Sequence, residues 1–135
     1  MKRFIQPRGT GLTYNICKYA IEHSCDIVCP RFHDIANCIN ALIEICEVSN
    51  KYKVIDWSTA PCGYIAIQDV DDEWCTKIIK VYTAVSYYLL NDSEKIRPVV
   101  IDSVDLCLSS FIGVNVEALS ISTYDPEDVA LNREI

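Results

Sequence analysis

The clearest pattern of apolar and polar positions lies between residues 33 and 47. Apolar side chains recur there every three or four positions, which is the spacing of one packed face of an α-helix. A shorter segment, 13–23, has the same spacing and opens on a hydroxyl residue, a common helix start. We predict a helix over each segment, with these packed positions: Ile16, Cys17, Ala20 and Ile21 in the first, and Ile35, Cys38, Ile39, Leu42, Ile43 and Cys46 in the second.

A third helix is predicted over residues 71–90. Three acidic residues, Asp71, Asp72 and Glu73, would occupy its first turn, where the helix dipole favours negative charge. Its packed side would be formed by Cys75, Ile78, Ile79, Tyr82, Val85 and Leu89.

Strands are predicted where short runs rich in Val and Ile are bounded by turn residues. The turn at 58–62 would join two of them as a hairpin, inserted in the sheet or at its edge. Because strands of near-continuous Val and Ile alternate with helices, the pattern favours an α/β sandwich with a mainly parallel sheet. The strand segments are 2–6, 25–29, 53–57, 63–68, 98–102 and 116–123.

Length and composition limit the organisation of the chain. Its 135 residues, 50% of them hydrophobic, are enough for one domain with a real core. We predict a single α/β domain over 1–123 and a polar C-terminal tail over 124–135. The chain opens without a signal-peptide pattern and its apolar runs are too short to span a membrane, so we expect a cytoplasmic protein without a membrane partner.

The net charge of −7 makes nucleic acid an unexpected partner, since nucleic-acid domains usually present a basic face to the phosphate backbone. A single local pocket of an acidic chain can still bind a nucleotide.

The chain has eight cysteines, and we interpret most of them as small buried hydrophobic residues in a reducing compartment. The alternatives are a reactive thiol or a metal site in which His23 or His33 joins Cys25 and Cys29. No cysteine pair has the spacing of a zinc knuckle, so neither a zinc nor an iron site is indicated.

The loop before the first helix reads Gln6-Pro7-Arg8-Gly9-Thr10-Gly11-Leu12-Thr13 and follows the strand-like segment 2–6. This arrangement resembles the phosphate-binding loop of P-loop NTPases, G-x-x-x-x-G-K-S/T, which leads from a strand into a helix whose N–H groups hold phosphate. Gln6 replaces the first glycine, and Leu12 replaces the lysine. The Pro-Arg-Gly opening is similar to that of phage-type ATPases.

A second part of the resemblance lies at Pro98-Val99-Val100-Ile101-Asp102, which looks like a Walker B strand. The resemblance implies that Asp102 and Thr13 would hold the Mg²⁺ of a bound nucleotide. ATPases of this kind usually carry a catalytic glutamate directly after that aspartate, whereas this chain has Ser103. The strand at 116–123 would carry a polar sensor residue, Ser122 or Thr123.

Taken together, the resemblance implies a three-layer, minimal P-loop NTPase-like domain of viral or phage origin, located in the host cytoplasm. Because both the lysine and the glutamate are replaced, we expect binding of a nucleotide or phosphate without efficient hydrolysis, and not an active NTPase. The residues expected to contact phosphate are Arg8, Gly9, Thr10, Gly11, Leu12 and Thr13.

Two alternatives remain open from the residues alone. The loop can be an ordinary glycine-containing turn in which Thr10 or Thr13 caps a helix, and Asp102 can end its strand simply because the chain turns there. The protein would then be a small acidic, phage-encoded or regulatory interaction protein that inhibits a partner and uses the fold as a scaffold. A homo-oligomer of such a protein would hide an Ile- and Tyr-rich face.

Overall fold

The computed structural model describes residues 2–5, 9–118 and 120. Helices and strands alternate along the first third of the chain, three consecutive strands form its middle, and short helices flank the last strand. In chain order the elements are α1 (Leu12–His23), β1 (Asp26–Cys29), α2 (Phe32–Ser49), β2 (Tyr52–Ser58), β3 (Gly63–Asp69), β4 (Thr76–Thr83), α3 (Ala84–Tyr88), a 3₁₀ turn (Asp92–Glu94), β5 (Val99–Ile101) and α4 (Val104–Ile112).

The strands form one mixed sheet in the order β2-β3-β4-β1-β5. β1 lies in parallel between β4 and β5, whereas β2, β3 and β4 form an antiparallel meander. The α/β class predicted from the sequence is confirmed. The sheet is mixed rather than mainly parallel, because short turns join β2, β3 and β4, and a parallel pairing would require a longer crossover.

The main core lies on the face of the sheet that α1 and α2 cover. Ile27 of β1 and Val100 of β5 point to this face and pack with Ile39 and Leu42 of α2. Alternate strand residues point to the opposite face. There Val28, with residues of β5, borders a groove formed by α3 and α4, so this second face is covered beside the parallel strands.

The helix predicted over 71–90 is wrong. Residues 76–83 form β4, and only the five residues of α3 follow as helix. The segment is rich in β-branched side chains, and Ile79 and Val81 alternate into the core, which is the two-residue period of a strand. The acidic residues make the turn before β4 instead: the Asp69 and Asp72 carboxylates accept hydrogen bonds from nearby backbone N–H groups.

The other predicted elements have mixed outcomes. The helices over 13–23 and 33–47 and the strands over 25–29, 53–57, 63–68 and 98–102 are confirmed, and the hairpin lies at the sheet edge. Residues 2–5 form no strand, and Phe4 packs edge-on against Tyr19 of α1. Residues 116–118 and Ser120 form no strand either, while Ser122, Thr123 and the tail at 124–135 lie outside the described residues.

Most cysteines are buried, as predicted: Cys17, Cys25, Cys29, Cys38, Cys46 and Cys107 lie in the interior, Cys75 is half-buried and Cys62 is exposed. Desolvation raises the pKa of the Cys107 thiol to about 12, so this side chain behaves as an apolar residue. Among the described residues, no helix has both the length and the apolar composition needed to cross a membrane.

Candidate functional site

The glycine loop leads directly into α1. Gly9 and Gly11 both have left-handed backbone conformations, with φ of 78° and 86°, and Gly11 is the residue that precedes the helix. A side chain at either position would strain the backbone, although the space around each is open. The first intrahelical bond joins the Asn15 N–H to the Gly11 carbonyl at 3.0 Å. The N–H groups of the preceding residues therefore have no carbonyl of this helix to bind.

Thr13 and Asp102, which are far apart in sequence, meet at this end of α1. The Thr13 hydroxyl donates a hydrogen bond of 2.9 Å to Oδ2 of Asp102. Asp102 directly follows β5, and its N–H is held by the carbonyl of Val28 at 2.9 Å. The contact thus joins the start of α1 to the carboxyl ends of β1 and β5, the edge at which α/β sheets commonly bind ligands.

Asp102 is only 4% exposed, and its other carboxylate oxygen, Oδ1, has no hydrogen-bond partner within the described structure. Burial raises the pKa of this carboxyl above its usual value, and the side chains of Thr13 and Ser103, which stabilise the charged form, oppose that rise. A buried carboxylate oxygen without a partner is costly. It is also a vacant acceptor on a side chain that the structure holds in place.

Asp34, near the start of α2, was missed by the sequence analysis. Its carboxylate accepts a hydrogen bond from the Arg31 N–H at 3.1 Å and pairs with Arg31 Nε at 3.4 Å. Its negative charge contributes to the raised pKa of Asp102. The start of α2 therefore faces the same edge of the sheet. An acidic residue three positions after a helix boundary is a sequence signal that could have identified Asp34.

Ser103, where the resemblance to P-loop ATPases would place a glutamate, is the boundary residue of α4. Its backbone is left-handed, with φ of 57°, and its carbonyl accepts the N–H of Cys107 at 3.0 Å. The chain enters α4 at once. Asp105, the next acidic residue, lies in the first turn of that helix. No carboxylate therefore directly follows Asp102 at this edge.

The remaining predicted phosphate contacts lie around the start of α1. Gly9 and Thr10 are exposed, and the half-buried Leu12 places an apolar side chain in the first turn of the helix. Arg8 lies outside the described residues. The described residues contain no group of three or more His, Cys, Asp or Glu side chains that could hold a metal ion. The Thr13 hydroxyl and the Asp102 carboxylate are hard oxygen donors of the kind that Mg²⁺ takes together with phosphate and water.

A second buried aspartate, Asp26, lies at the opposite end of β1. Its Oδ1 accepts the Lys80 N–H at 3.0 Å and lies 3.5 Å from Arg97 Nη1. Arg97 also donates to the carbonyls of Ser24, at 3.2 Å, and Ile78. This pair links the segments leading into β1 and β5 to β4. The sequence analysis assigned no role to either residue, because their pairing depends on strand register.

Comparisons of the chain with protein-family models, with curated proteins and with solved structures gave no match. Function must therefore be inferred from the chain's own residues. The edge around Asp102 combines helix N–H groups, two oxygen donors from α1 and β5, and backbone glycines that leave room for close approach. This combination suits an anionic ligand accompanied by a divalent cation.

Proposed function

We propose that this chain is a catalytically impaired, P-loop-like protein that binds a nucleotide or phosphate ligand together with Mg²⁺ and does not hydrolyse it efficiently. In this proposal the domain is a degenerate three-layer sandwich of the minimal P-loop NTPase type. The ligand phosphate would lie over the N–H groups from Gly9 to Thr13, with Arg8 assisting. Mg²⁺ would bind between that phosphate and the side chains of Thr13 and Asp102.

The observation that carries the proposal is the hydrogen bond between Thr13 and Asp102, together with the vacant Oδ1 of Asp102. The resemblance in the sequence paired these two residues as the Mg²⁺ site. Their side chains are in contact at the carboxyl edge of the sheet, and the carboxylate has an unused acceptor. A bound cation would offset the cost of burying that charge.

Two replacements explain why turnover would be slow. Phosphoryl transfer depends on positioning and on stabilising negative charge. A charge-assisted hydrogen bond of the kind that the missing lysine would make is worth about 1.5–3 kcal/mol, so Leu12 would weaken binding by roughly tenfold to a hundredfold. Ser103 leaves the attacking water without a carboxylate base. The absence of a strand at 2–5 is a further departure from the P-loop pattern.

Isothermal titration with ATP, GTP and inorganic phosphate, each with and without Mg²⁺, tests the proposal. We expect at least one of these ligands to bind, more tightly with Mg²⁺ than without it. Asp102→Asn should remove the gain from Mg²⁺ and leave the fold intact. Glu22→Gln, an exposed carboxylate at the far end of α1, is the matched control and should bind as the native chain does. No heat of binding with any ligand would refute the proposal.

Repairing the site tests the inferred ancestry. The double variant Leu12→Lys, Ser103→Glu restores both the phosphate-binding ammonium and the water-activating carboxylate. We expect Mg²⁺-dependent phosphate release from ATP or GTP that exceeds that of either single variant. Equal, background-level release from all three variants would contradict a P-loop origin of the site.

A second candidate function is that of a small acidic protein that inhibits or regulates a partner through its surface. It is favoured by large apolar side chains that remain exposed, among them Trp74, Leu89 and Ile96. The same titrations separate the two candidates. Binding of phosphate ligands that depends on Asp102 supports the first, whereas a folded chain that binds none of them leaves the second.

A further inference from the structure

β2 forms one edge of the sheet, and no strand of the described residues pairs with its outer side. It is seven residues long, and two large apolar side chains on it are exposed, Ile55 at 47% and Trp57 at 50%. An exposed edge strand presents a row of backbone N–H and C=O groups that can pair with another strand. This edge is therefore a template for association.

A bulge in β2 determines which side chains share a face. Val54 pairs with Ile67 and Asp56 pairs with Ala66, so Ile55 is the extra residue between them. Opposed residues in a sheet point to the same face. Leaving Ile55 aside, Tyr52, Val54 and Trp57 lie on the core face. Lys53, Asp56 and Ser58 lie on the outer face.

This order makes β2 complementary to an antiparallel copy of itself. If the two-fold axis passes through Val54, then Val54 faces Val54 of the second copy. With Ile55 left out of this ladder in both copies, as it is left out of the ladder with β3, Lys53 then faces Asp56 of the other copy on the outer face, twice. Tyr52 faces Trp57 of the other copy on the core face, also twice. Five of the seven residues of β2 thus meet an opposite charge, an aromatic ring or their own apolar equivalent on the same face; Ile55 and Ser58 do not.

The positions of the side chains support this arrangement. Asp56 is held on the outer face, where its Oδ2 accepts the Tyr64 hydroxyl at 2.5 Å and its Oδ1 accepts the Trp57 N–H at 2.9 Å. Lys53 is exposed on the same face. Opposite charges placed directly across two strands stabilise a pairing, and like charges destabilise it.

The core face has space for the aromatic pairs. An open groove of about 640 Å³ runs between β2 and the C-terminal half of α2. Ile43 and Glu47 of α2 line it, together with Tyr52, Val54 and Trp57. A two-fold axis perpendicular to the sheet keeps each face on its own side, so Trp57 of the second copy would enter this groove above Tyr52. Two half-exposed aromatic side chains per chain would then be covered.

We propose that two copies of this chain associate through antiparallel pairing of their β2 strands, centred on Val54, so that their two five-stranded sheets form one continuous sheet. The chemistry of recognition is backbone pairing, with register fixed by reciprocal Lys53–Asp56 contacts and Tyr52–Trp57 contacts. This association is independent of the phosphate site, which lies at the carboxyl ends of β1 and β5.

Charge reversal tests the register. Lys53→Glu places two acids opposite each other at both contacts, and Asp56→Lys places two lysines there, so each variant should weaken the dimer by roughly tenfold to a hundredfold. An equimolar mixture of the two variants restores both opposite-charge contacts and should form a heterodimer. Lys18→Glu changes the net charge by the same amount as Lys53→Glu but lies on α1, so it serves as the control. Analytical ultracentrifugation measures the dimer dissociation constant of all four samples, and circular dichroism checks that each is folded.

Disulfide trapping tests the position of the axis without relying on charge. In a Cys62→Ser, Cys75→Ser background, Val54→Cys places two thiols directly opposite each other, within the range that a disulfide spans. Mild oxidation with diamide should yield a covalent dimer. Ser58→Cys in the same background should not, because the two copies of residue 58 lie far apart along the strands. A monomeric native chain at all concentrations, or equal cross-linking at both positions, would overturn the proposal.

Discussion

Two aspartates are buried in the described structure, at opposite ends of neighbouring parallel strands, and their surroundings differ in one essential respect. Asp26, at the start of β1, has the guanidinium of Arg97 and the Lys80 N–H beside it. Asp102, just after β5, accepts the Thr13 hydroxyl on Oδ2, and Ser103 also stabilises its charged form, whereas its Oδ1 has no hydrogen-bond partner in the described part of the chain.

The difference indicates the role of each carboxylate. A buried charge is tolerated when a cation and hydrogen bonds compensate it, as they do at Asp26, and such a pair serves the fold. A buried carboxylate with an unused oxygen lowers stability unless something else occupies that oxygen. Asp102 also lies at the edge where α/β sheets bind ligands. We therefore interpret Asp26 as structural and Asp102 as part of the proposed binding site.

The largest effect is expected from breaking the compensated pair. Arg97→Met removes the cation beside Asp26 and the donors to the carbonyls of Ser24 and Ile78. Because an uncompensated charge would remain buried, we expect the free energy of unfolding to fall by about 3 kcal/mol, measured by urea denaturation. Lys18→Met, the loss of an exposed cation on α1, should change it by less than about 0.5 kcal/mol.

A double variant sharpens this prediction. Adding Asp26→Asn to Arg97→Met removes the stranded charge and should recover a large part of the lost stability. If the double variant is no more stable than Arg97→Met alone, the loss is not caused by the uncompensated charge of Asp26. The structural role assigned to the pair would then be wrong.

A smaller effect is expected at the other aspartate. Thr13→Val keeps the shape of the side chain but removes the hydroxyl that donates to Oδ2 of Asp102. We expect a loss of about 1–2 kcal/mol in the free energy of unfolding at neutral pH. Thr13→Ser retains the hydroxyl and should lose less. Equal losses in the two variants would indicate that the methyl group, rather than the hydrogen bond, matters here.

The sequence could predict the pair Thr13–Asp102 because each residue lies beside a local signal. Thr13 follows a glycine loop at a helix start, and Asp102 ends a run of Val and Ile. Parallel strands have their carboxyl ends at one edge of the sheet, so the contact between Thr13 and Asp102 could be predicted without knowing the strand register. The pair Asp26–Arg97 has no such signal. It forms because Asp26 of β1 is aligned with Val99 of β5, and that register is set by the packed core.

The error over 71–90 has a similar origin. Cys75, Ile78, Ile79, Tyr82 and Val85 satisfy the helical period, but Ile79 and Val81 also satisfy the strand period, and local spacing cannot choose between them. Pairing with β3 decides the conformation, because it buries Ile79 opposite Ile65 in the core. The same error led to the expectation of a mainly parallel sheet, since a helix at 71–90 would have removed the antiparallel pairing of β3 with β4.

The smallest change in the free energy of unfolding is expected from Asp102→Asn. This variant tests the contrast between Asp26 and Asp102 most directly. The folded chain raises the pKa of Asp102 above its ordinary value of 3.8. At a pH between the ordinary pKa and the raised pKa, the folded state binds more protons than the unfolded state. The free energy of unfolding therefore falls as the pH rises through that window. Asparagine can still accept the Thr13 hydrogen bond and carries no charge. The variant should therefore be more stable than the native chain at about pH 7 by on the order of 1 kcal/mol.

The gain should disappear near pH 3, where the native carboxyl is protonated in both states. Urea denaturation at the two pH values, without Mg²⁺ or nucleotide, measures it. Asp72→Asn is the control, because that exposed side chain also accepts a backbone N–H and should show no comparable gain. If Asp102→Asn instead destabilises the protein at neutral pH, the native carboxylate has a compensating interaction. The contrast with Asp26 would then vanish, and with it the reason to regard the vacant oxygen of Asp102 as a binding position.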